Sequence, residues 1–296
     1  MQREKHGLSF IVPIYNEESG IIGTYNRLYE TLGTLDMPWE IILVDDGSKD
    51  NTSELIKNLN EAVIIRHPVN IGYGNALKTG IKHAQYNWIG TVDADGTYPI
   101  EAIPELLREM GNGFDMVIAS RLNTAMIDTA IKRIFRFIFK LLVNGIFRNE
   151  IEDPNSGLRI FTKSLVSVFL PFLCGTFSFT TSLTLLAVGM SYFVKYVPVQ
   201  YCCRQGTSKV RHIRDSIKTL QYIIQGITFY NPIKFFLLLS LAMIVLVCIP
   251  AMAIAMLRML TLSLYYMIFG TAVTLLIGLG VLGDIIRISA QQKHIN

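Results

Sequence analysis

Trp88-Ile-Gly-Thr-Val-Asp93-Ala-Asp95 is a short apolar run that stops at two carboxylates. Its length and β-branched content read as a buried strand ending in a polar loop. The same pattern recurs along the first half of the chain. Leu8 to Pro13 runs into Ile14-Tyr15-Asn16-Glu17, and Trp39 to Val44 runs into Asp45-Asp46-Gly47-Ser48. Ala62 to Arg66 and Met116 to Ser120 are further apolar runs of strand length. Between them, Glu18 to Leu32, Asp50 to Asn60 and Gly74 to Ala84 read as helices, the second capped by Asn51, Thr52 or Ser53. Strands alternating with helices at this spacing predict a mostly parallel sheet with helices on both faces. Ligands of such sheets bind at the carboxyl ends of the strands. The polar clusters Tyr15-Asn16-Glu17, Asp45-Asp46 and Asp93-Ala94-Asp95 all fall at strand ends, so they converge on one site.

The chain has 296 residues, of which 17 % are charged and 51 % hydrophobic. That charge content is below the roughly 25 % of soluble proteins, and the deficit lies after Lys234. Phe235 to Leu257 and Met259 to Gly283 carry no charge, and each exceeds the about 20 residues that cross a bilayer. Only Arg258 separates them, which predicts a tight hairpin with Pro250 placed to kink its first helix. Arg211, Arg214, Lys218 and Lys234 flank one side, and Arg287 and Lys293 the other, which puts both ends in the cytosol by the positive-inside tendency.

Ile127 to Arg148 carries Lys132, Arg133, Arg136 and Lys140 at helical spacing among aromatic and aliphatic residues. It reads as an amphipathic helix lying in a membrane interface, or else as a core helix with a solvated basic face. Arg214 to Tyr230 is a second stretch of this kind. The net charge of +4 is too small to argue for nucleic acid and fits contact with anionic lipid headgroups. Cys174, Cys202, Cys203 and Cys248 have neither zinc-site spacing nor a disulfide framework. Leu8 to Ile14 is too short, and meets Pro13 too soon, to be a signal peptide.

The motifs allow two readings each. Asp93 and Asp95 form a surface turn or hold a divalent cation that neutralises a diphosphate leaving group. Asp45-Asp46-Gly47-Ser48 forms a turn or bonds the base or ribose of a nucleotide. Tyr15 is placed to stack on a base and Glu17 to accept from base N–H groups, or both simply complete a loop.

Taken together, Ile-Val-Pro13-Ile-Tyr15-Asn-Glu17, Val-Asp45-Asp46-Gly-Ser-Lys-Asp, Asn70-Ile-Gly-Tyr-Gly-Asn-Ala-Leu-Lys-Thr-Gly80, Val-Asp93-Ala-Asp95-Gly and Ser120-Arg121 resemble the family 2 glycosyltransferases of GT-A fold, over about residues 8 to 125. Asp153-Pro-Asn-Ser-Gly-Leu-Arg159 and Arg204-Gln-Gly-Thr-Ser208-Lys209 resemble the dolichol- and polyprenyl-phosphate hexose synthases. The resemblance implies a GT-A-like, Rossmann-type mixed sheet. It implies that Pro13, Tyr15, Asn16, Glu17, Asp45 and Asp46 hold the nucleoside. Asp93, Ala94 and Asp95 would hold the diphosphate with Mg²⁺ or Mn²⁺. Arg121, Arg133, Arg204, Ser208 and Lys209 would bind a lipid phosphate, with Asp95, Arg121 and Lys209 central to catalysis. Where the mannose synthases have Leu-Gln after the acidic triplet, Gly96-Thr97 stands here, which makes Thr97 the candidate third ligand.

Many family members that glycosylate hydroxyl groups carry an acceptor-side carboxylate, and Gly175 to Ser182 has none. A phosphate acceptor needs none, since it is ionised at neutral pH. The expected organisation is a nucleotide-sugar part at 1–125 and an interface helix at 126–149. An acceptor part at 150–212, a second interface helix at 213–232 and a transmembrane hairpin with cytosolic tail at 233–296 complete it. The expected activity is inverting transfer of a hexose from a GDP- or UDP-sugar to undecaprenyl or dolichyl phosphate in a bacterial or archaeal membrane. A processive polysaccharide synthase and a non-catalytic membrane scaffold are the alternatives. The lone helical pair favours self-association.

Overall fold

The computed structural model describes residues 5–59, 61–122, 151–171, 173–176, 178–201 and 232–293. The two expected interface helices, and with them Arg133, Arg204, Ser208 and Lys209, lie outside these residues. The chain divides into two compact units, Met1–Thr219 and Leu220–Asn296.

The first unit is built on a seven-stranded sheet. Its elements are β1 (Lys5–Ile14), α1 (Ile21–Gly33), β2 (Trp39–Asp45), α2 (Thr52–Ile56), β3 (Ala62–Arg66), α3 (Tyr73–His83) and β4 (Tyr86–Thr91). Then follow α4 (Ile103–Gly111), β5 (Met116–Arg121), β6 (Arg159–Thr162), α5 (Lys163–Phe169), α6 (Phe179–Gly189) and β7 (Val194–Val199). The strand order is β3-β2-β1-β4-β6-β5-β7. All pairings are parallel except those of β6, which runs antiparallel to β4 and to β5.

Strand β1 is buried on both faces, as a central parallel strand must be. Leu8, Phe10, Val12 and Ile14 face one core with Ile21, Tyr25, Leu28 and Leu32 of α1 and Leu106 and Met110 of α4. The helix residues recur every three or four positions, which puts them on one stripe. Ile11 points the other way and meets α3, where a Cβ on Gly80 would stand 2.5 Å from its Cγ2. With helices on each face, the strand ends remain open at one edge, and that edge carries the site.

The later elements depart most from the sequence expectation. β6 has only four residues, too few to show alternation. β7 carries Pro198, which an edge strand tolerates. Every residue of α6 is buried, so it lacks the two-sided pattern of a surface helix.

The second unit is a helical hairpin. Helix α7 (Pro232–Met243) passes through a π-helical segment, Ile244–Cys248, into α8 (Ile249–Met256), and α9 (Leu260–Lys293) returns. Leu239–Met256 and Leu260–Gly283 are long and apolar enough to cross a membrane. Leu241, Leu246, Phe269 and Leu276 are among many large apolar side chains left exposed, a surface that calls for a non-aqueous surrounding. At the tip, Arg258 adopts φ +61°. The Met259 amide reaches the Ile254 carbonyl at 3.4 Å and the Arg258 amide the Ala255 carbonyl at 2.9 Å, the two bonds of a Schellman cap.

The π segment lies just before Pro250, the residue at which the sequence predicts a kink. Proline has no amide hydrogen for the Leu246 carbonyl, and the Tyr266 hydroxyl of α9 donates to that oxygen at 2.8 Å. Tyr266→Phe is therefore expected to destabilise the hairpin by about 0.6–1.7 kcal/mol, the range of hydrogen bonds between membrane helices. Unfolding in mixed micelles, with the wild type alongside, measures it.

Candidate active site

The carboxyl ends of β1, β2, β4 and β5 bring Pro13, Tyr15, Asn16, Glu17, Asp45, Asp46, Asp93, Ala94, Asp95, Thr97 and Arg121 to one edge of the sheet. Two regions can be distinguished there.

The first is a cleft of about 390 Å³ lined by Tyr15, Gly47, Ser48, Lys49, Arg66, Pro68, Val69 and Asn70. Its floor is a mesh of loop bonds. Asn16, at φ +52°, accepts from the Lys49 amide at 2.7 Å and donates its own amide to Ser48 Oγ at 2.9 Å. The Glu17 amide bonds Thr52 Oγ1 at 2.9 Å, and the Glu17 carbonyl starts α1 by accepting from Gly20 and Ile21. Asp45 is fully buried. It accepts from the Ser48 amide at 2.9 Å and Ser53 Oγ at 2.5 Å, and Arg66 Nε lies 3.4 Å away. Asp46, also buried, accepts from His67 Nδ1 at 2.8 Å and from the amides of Ile71 and Gly72 at 3.0 and 2.8 Å. These two carboxylates thus shape the cleft through the loops they tie. Lys49, Arg66 and the 68–70 loop are walls that sequence reasoning missed, because no local pattern marks them.

The second region is the acidic turn after β4. Asp93 Oδ1 accepts from the Tyr73 hydroxyl at 2.8 Å. Burial, with the Asp93 charge beside it, pushes the Tyr73 phenol well above its ordinary pKa, so it stays protonated and donates. On its other side Asp93 packs on Gly157, where a Cβ would stand 2.5 Å from Oδ2. The Ala94 carbonyl accepts from Thr24 Oγ1 at 3.0 Å, which anchors the turn to α1. Asp95 Oδ1 accepts from the Thr97 hydroxyl at 2.7 Å and the Thr97 amide at 3.2 Å. The Thr97 hydroxyl hydrogen is spent on Asp95, so Thr97 aims that carboxylate.

Asp93 and Asp95 are hard oxygen donors of the kind that Mg²⁺ and Mn²⁺ take. Among the described residues no group of three or more His, Cys, Asp or Glu gathers, so diphosphate oxygens and water would complete the shell. The donor chemistry fits a cation shared with a bound diphosphate.

Arg121, at the end of β5, forms a two-pronged ion pair with Asp153, Nε and Nη2 each 2.7 Å from a carboxylate oxygen. Burial opposes the charge on each, and their mutual hydrogen bonds and attraction outweigh it, so the Arg121 pKa rises and that of Asp153 falls. The guanidinium also lies over the Tyr201 ring at 5.3 Å. Beneath this pair Arg159 is fully buried. It donates to the carbonyls of Pro154, Ser156 and Thr180 and, at 2.9 Å, to Thr184 Oγ1. The Gly157 amide donates to Tyr98 Oη at 2.7 Å, and Thr91 Oγ1 to the Gly157 carbonyl at 2.8 Å. The signal for Asp153, Gly157 and Arg159 was their shared motif, Asp153-Pro-Asn-Ser-Gly-Leu-Arg159.

The family model for glycosyl transferase family 2 matches residues 9–170, more than half of the chain. The chain belongs to glycosyl transferase family 2. The undecaprenyl-phosphate 4-deoxy-4-formamido-L-arabinose transferase of Pectobacterium carotovorum is 30 % identical over 185 residues, 58 % of this chain and 56 % of that protein. The protein of the same description from Salmonella choleraesuis is 29 % identical over the same length. The chain thus matches little more than half the length of these curated relatives. Its fold is that of glucosyl-3-phosphoglycerate synthase from Mycobacterium tuberculosis, solved with Mn²⁺, UDP-glucose and phosphoglyceric acid. The TM-score is 0.60 at 16 % identity, over 75 % of this chain and 79 % of that one. The GT-A-like mixed sheet expected from the motifs is what this chain has.

Proposed function

We propose that this glycosyltransferase moves a sugar from a nucleotide sugar onto the phosphate of a polyprenyl lipid, at the surface of the membrane its hairpin enters. The acceptor half carries the reading. No charged residue stands between Lys163 and Lys195. Three of the α6 hydroxyls are occupied: Thr181 bonds Asn155, Ser182 the Phe179 carbonyl at 2.9 Å, and Thr184 the Thr180 carbonyl at 2.9 Å. Asp153 is held below the usual carboxylate range and bound to Arg121, which makes it a poor base. A hydroxyl acceptor needs a base to take its proton, whereas a phosphate arrives ionised. The undecaprenyl-phosphate named in the relatives agrees with this.

In this reading an oxygen of the acceptor phosphate forms its bond to the anomeric carbon as the bond to the leaving diphosphate oxygen breaks. The nucleoside diphosphate keeps the electron pair, and the anomeric configuration inverts. The 390 Å³ cleft beside Tyr15 takes the nucleoside. Asp95, aimed by Thr97, and Asp93, held by Tyr73, would hold Mg²⁺ or Mn²⁺, which neutralises charge on the diphosphate. Arg121, with Arg133, Arg204, Ser208 and Lys209 from the segments outside the described residues, receives the lipid phosphate. The catalytic unit and both chain ends lie on the cytosolic side.

The test offers UDP- and GDP-linked glucose, mannose and N-acetylglucosamine, and the nucleotide-linked formamido-arabinose, with undecaprenyl and dolichyl phosphate. Products are identified by mass. One donor is expected to give polyprenyl-phosphate-sugar. Transfer only to carbohydrate hydroxyls, or to no lipid phosphate at all, sinks the reading.

A further inference from the structure

Residues 67–72 form a strap between β3 and α3, and its two ends meet the two regions of the donor site. At one end Pro68, Val69 and Asn70 wall the cleft beside Tyr15. At the other, Gly72 at φ +108° opens α3, whose first residue, Tyr73, bonds Asp93. The strap is gripped from below by one carboxylate. Asp46 accepts from the amides of Ile71 and Gly72 at 3.0 and 2.8 Å and from His67 Nδ1 at 2.8 Å. An ionised carboxylate only accepts, so Nδ1 carries the imidazole proton. His67 Nε2 lies 3.0 Å from Thr79 Oγ1, further along α3. His67 therefore ties Asp46 to the body of α3. From above, Gly47 seats the strap: at φ +71°, a Cβ there would stand 2.7 Å from the Val69 carbonyl carbon.

We propose that His67 is a positioning residue for the donor. Through its bond to Asp46 it fixes the strap that shapes the nucleoside cleft and delivers Tyr73 to Asp93, so one lock sets the base-binding and diphosphate-binding ends together. The inference rests on the donor-site assignment given under Proposed function. It assigns Asp46 to the strap and leaves direct contact with the nucleoside to the cleft walls.

Two amides separate the two bonds of His67. The side-chain nitrogen of asparagine reaches the position of Nδ1 and keeps the Asp46 bond; that of glutamine reaches the position of Nε2 and loses it. With UDP or GDP and Mn²⁺ as probes, His67→Gln is expected to bind the nucleotide about tenfold more weakly and to lose turnover by a similar factor, the usual scale for a group that orients a ligand. His67→Asn should stay within about threefold of wild type, and the KM for lipid phosphate should not move in either. A merely structural histidine would lower melting temperature in both and split neither. On the unsubstituted enzyme, nucleotide binding is expected to slow hydrogen exchange at the Ile71 and Gly72 amides, a readout independent of how the variants fold. Equal nucleotide affinity in His67→Gln and wild type, or exchange at those amides unchanged by nucleotide, overturns the inference alone. A wild-type enzyme that binds neither nucleotide removes the donor-site assignment and the inference with it.

Discussion

Asp95→Ala is expected to slow sugar transfer on the order of a thousandfold, about 4 kcal/mol of transition-state stabilisation. Negative charge accumulates on the diphosphate as the anomeric bond breaks, and a divalent cation, which Asp95 would help to hold, would supply the neutralising charge. Asp95 belongs to the turn after β4 and is aimed by two bonds from Thr97. Removing its carboxylate leaves the β-sheet pairing of β4 intact, so the loss should appear in rate and not in folding. Thr97→Val keeps the carboxylate but not the hydroxyl that aims it, and should cost less, about tenfold. Initial rates across a Mn²⁺ titration, with circular dichroism as the folding control, decide the matter. A wild-type rate in Asp95→Ala would refute the donor chemistry.

Arg159→Met is expected to lower the stability of the catalytic unit by about 3 kcal/mol. The opposing effect is real, since desolvating a cation costs energy and apolar replacements of buried charges are often harmless. Here the partners decide. Pro154, Ser156 and Thr180 present buried carbonyls to the guanidinium, and Thr184 its hydroxyl. Methionine cannot donate; the Thr184 hydroxyl still bonds the Thr180 carbonyl, but the Pro154 and Ser156 carbonyls are stranded, and each such acceptor costs about 1–3 kcal/mol. Burial pulls the Arg159 pKa below the usual arginine value, yet an arginine remains charged, so the wild-type donors are always present. For a unit of this size the melting temperature should fall on the order of 6–12 °C. An unchanged melting curve in detergent would show that the 153–157 loop does not depend on this arginine.

The donor half was legible because its physics is local. A buried parallel strand has to be apolar along its length, and Ile-Val-Pro13, Ile-Leu-Val44 and Gly-Thr-Val92 show it directly. Their acidic ends stand out because polar groups there have nowhere else to go. The acceptor half hid its structure for equally physical reasons. Every residue of α6 is buried, so no stripe betrays a helix, and β6, at four residues, repeats the two-residue strand period only twice. The pairs that define the site are long-range. Arg121 finds Asp153, Asp46 finds His67, and Tyr73 finds Asp93, and none of these partnerships leaves a trace in spacing. The resemblance named Arg121 and Thr97, while the structure adds what each side chain holds: an Asp153 carboxylate for one, the Asp95 carboxylate for the other. The hairpin was readable because a water-facing helix needs charged residues within such a length and a bilayer-crossing one does not. The Tyr266 bond, which replaces the amide missing at Pro250, joins residues too far apart for any such pattern.

Asp93 touches both halves of the domain at once. Tyr73 approaches it from the nucleotide side, and the bare backbone of Gly157 closes on it from the acceptor side, with no room for even a methyl group. Donor and acceptor segments of this fold are consequently not interchangeable parts. A chimera that borrows its acceptor segment from another enzyme also replaces one wall around Asp93, the carboxylate proposed to serve the leaving diphosphate. Specificity for the receiving lipid and competence toward the sugar donor would then change together, so recombination between such enzymes should succeed only where the junction carries a glycine to that position.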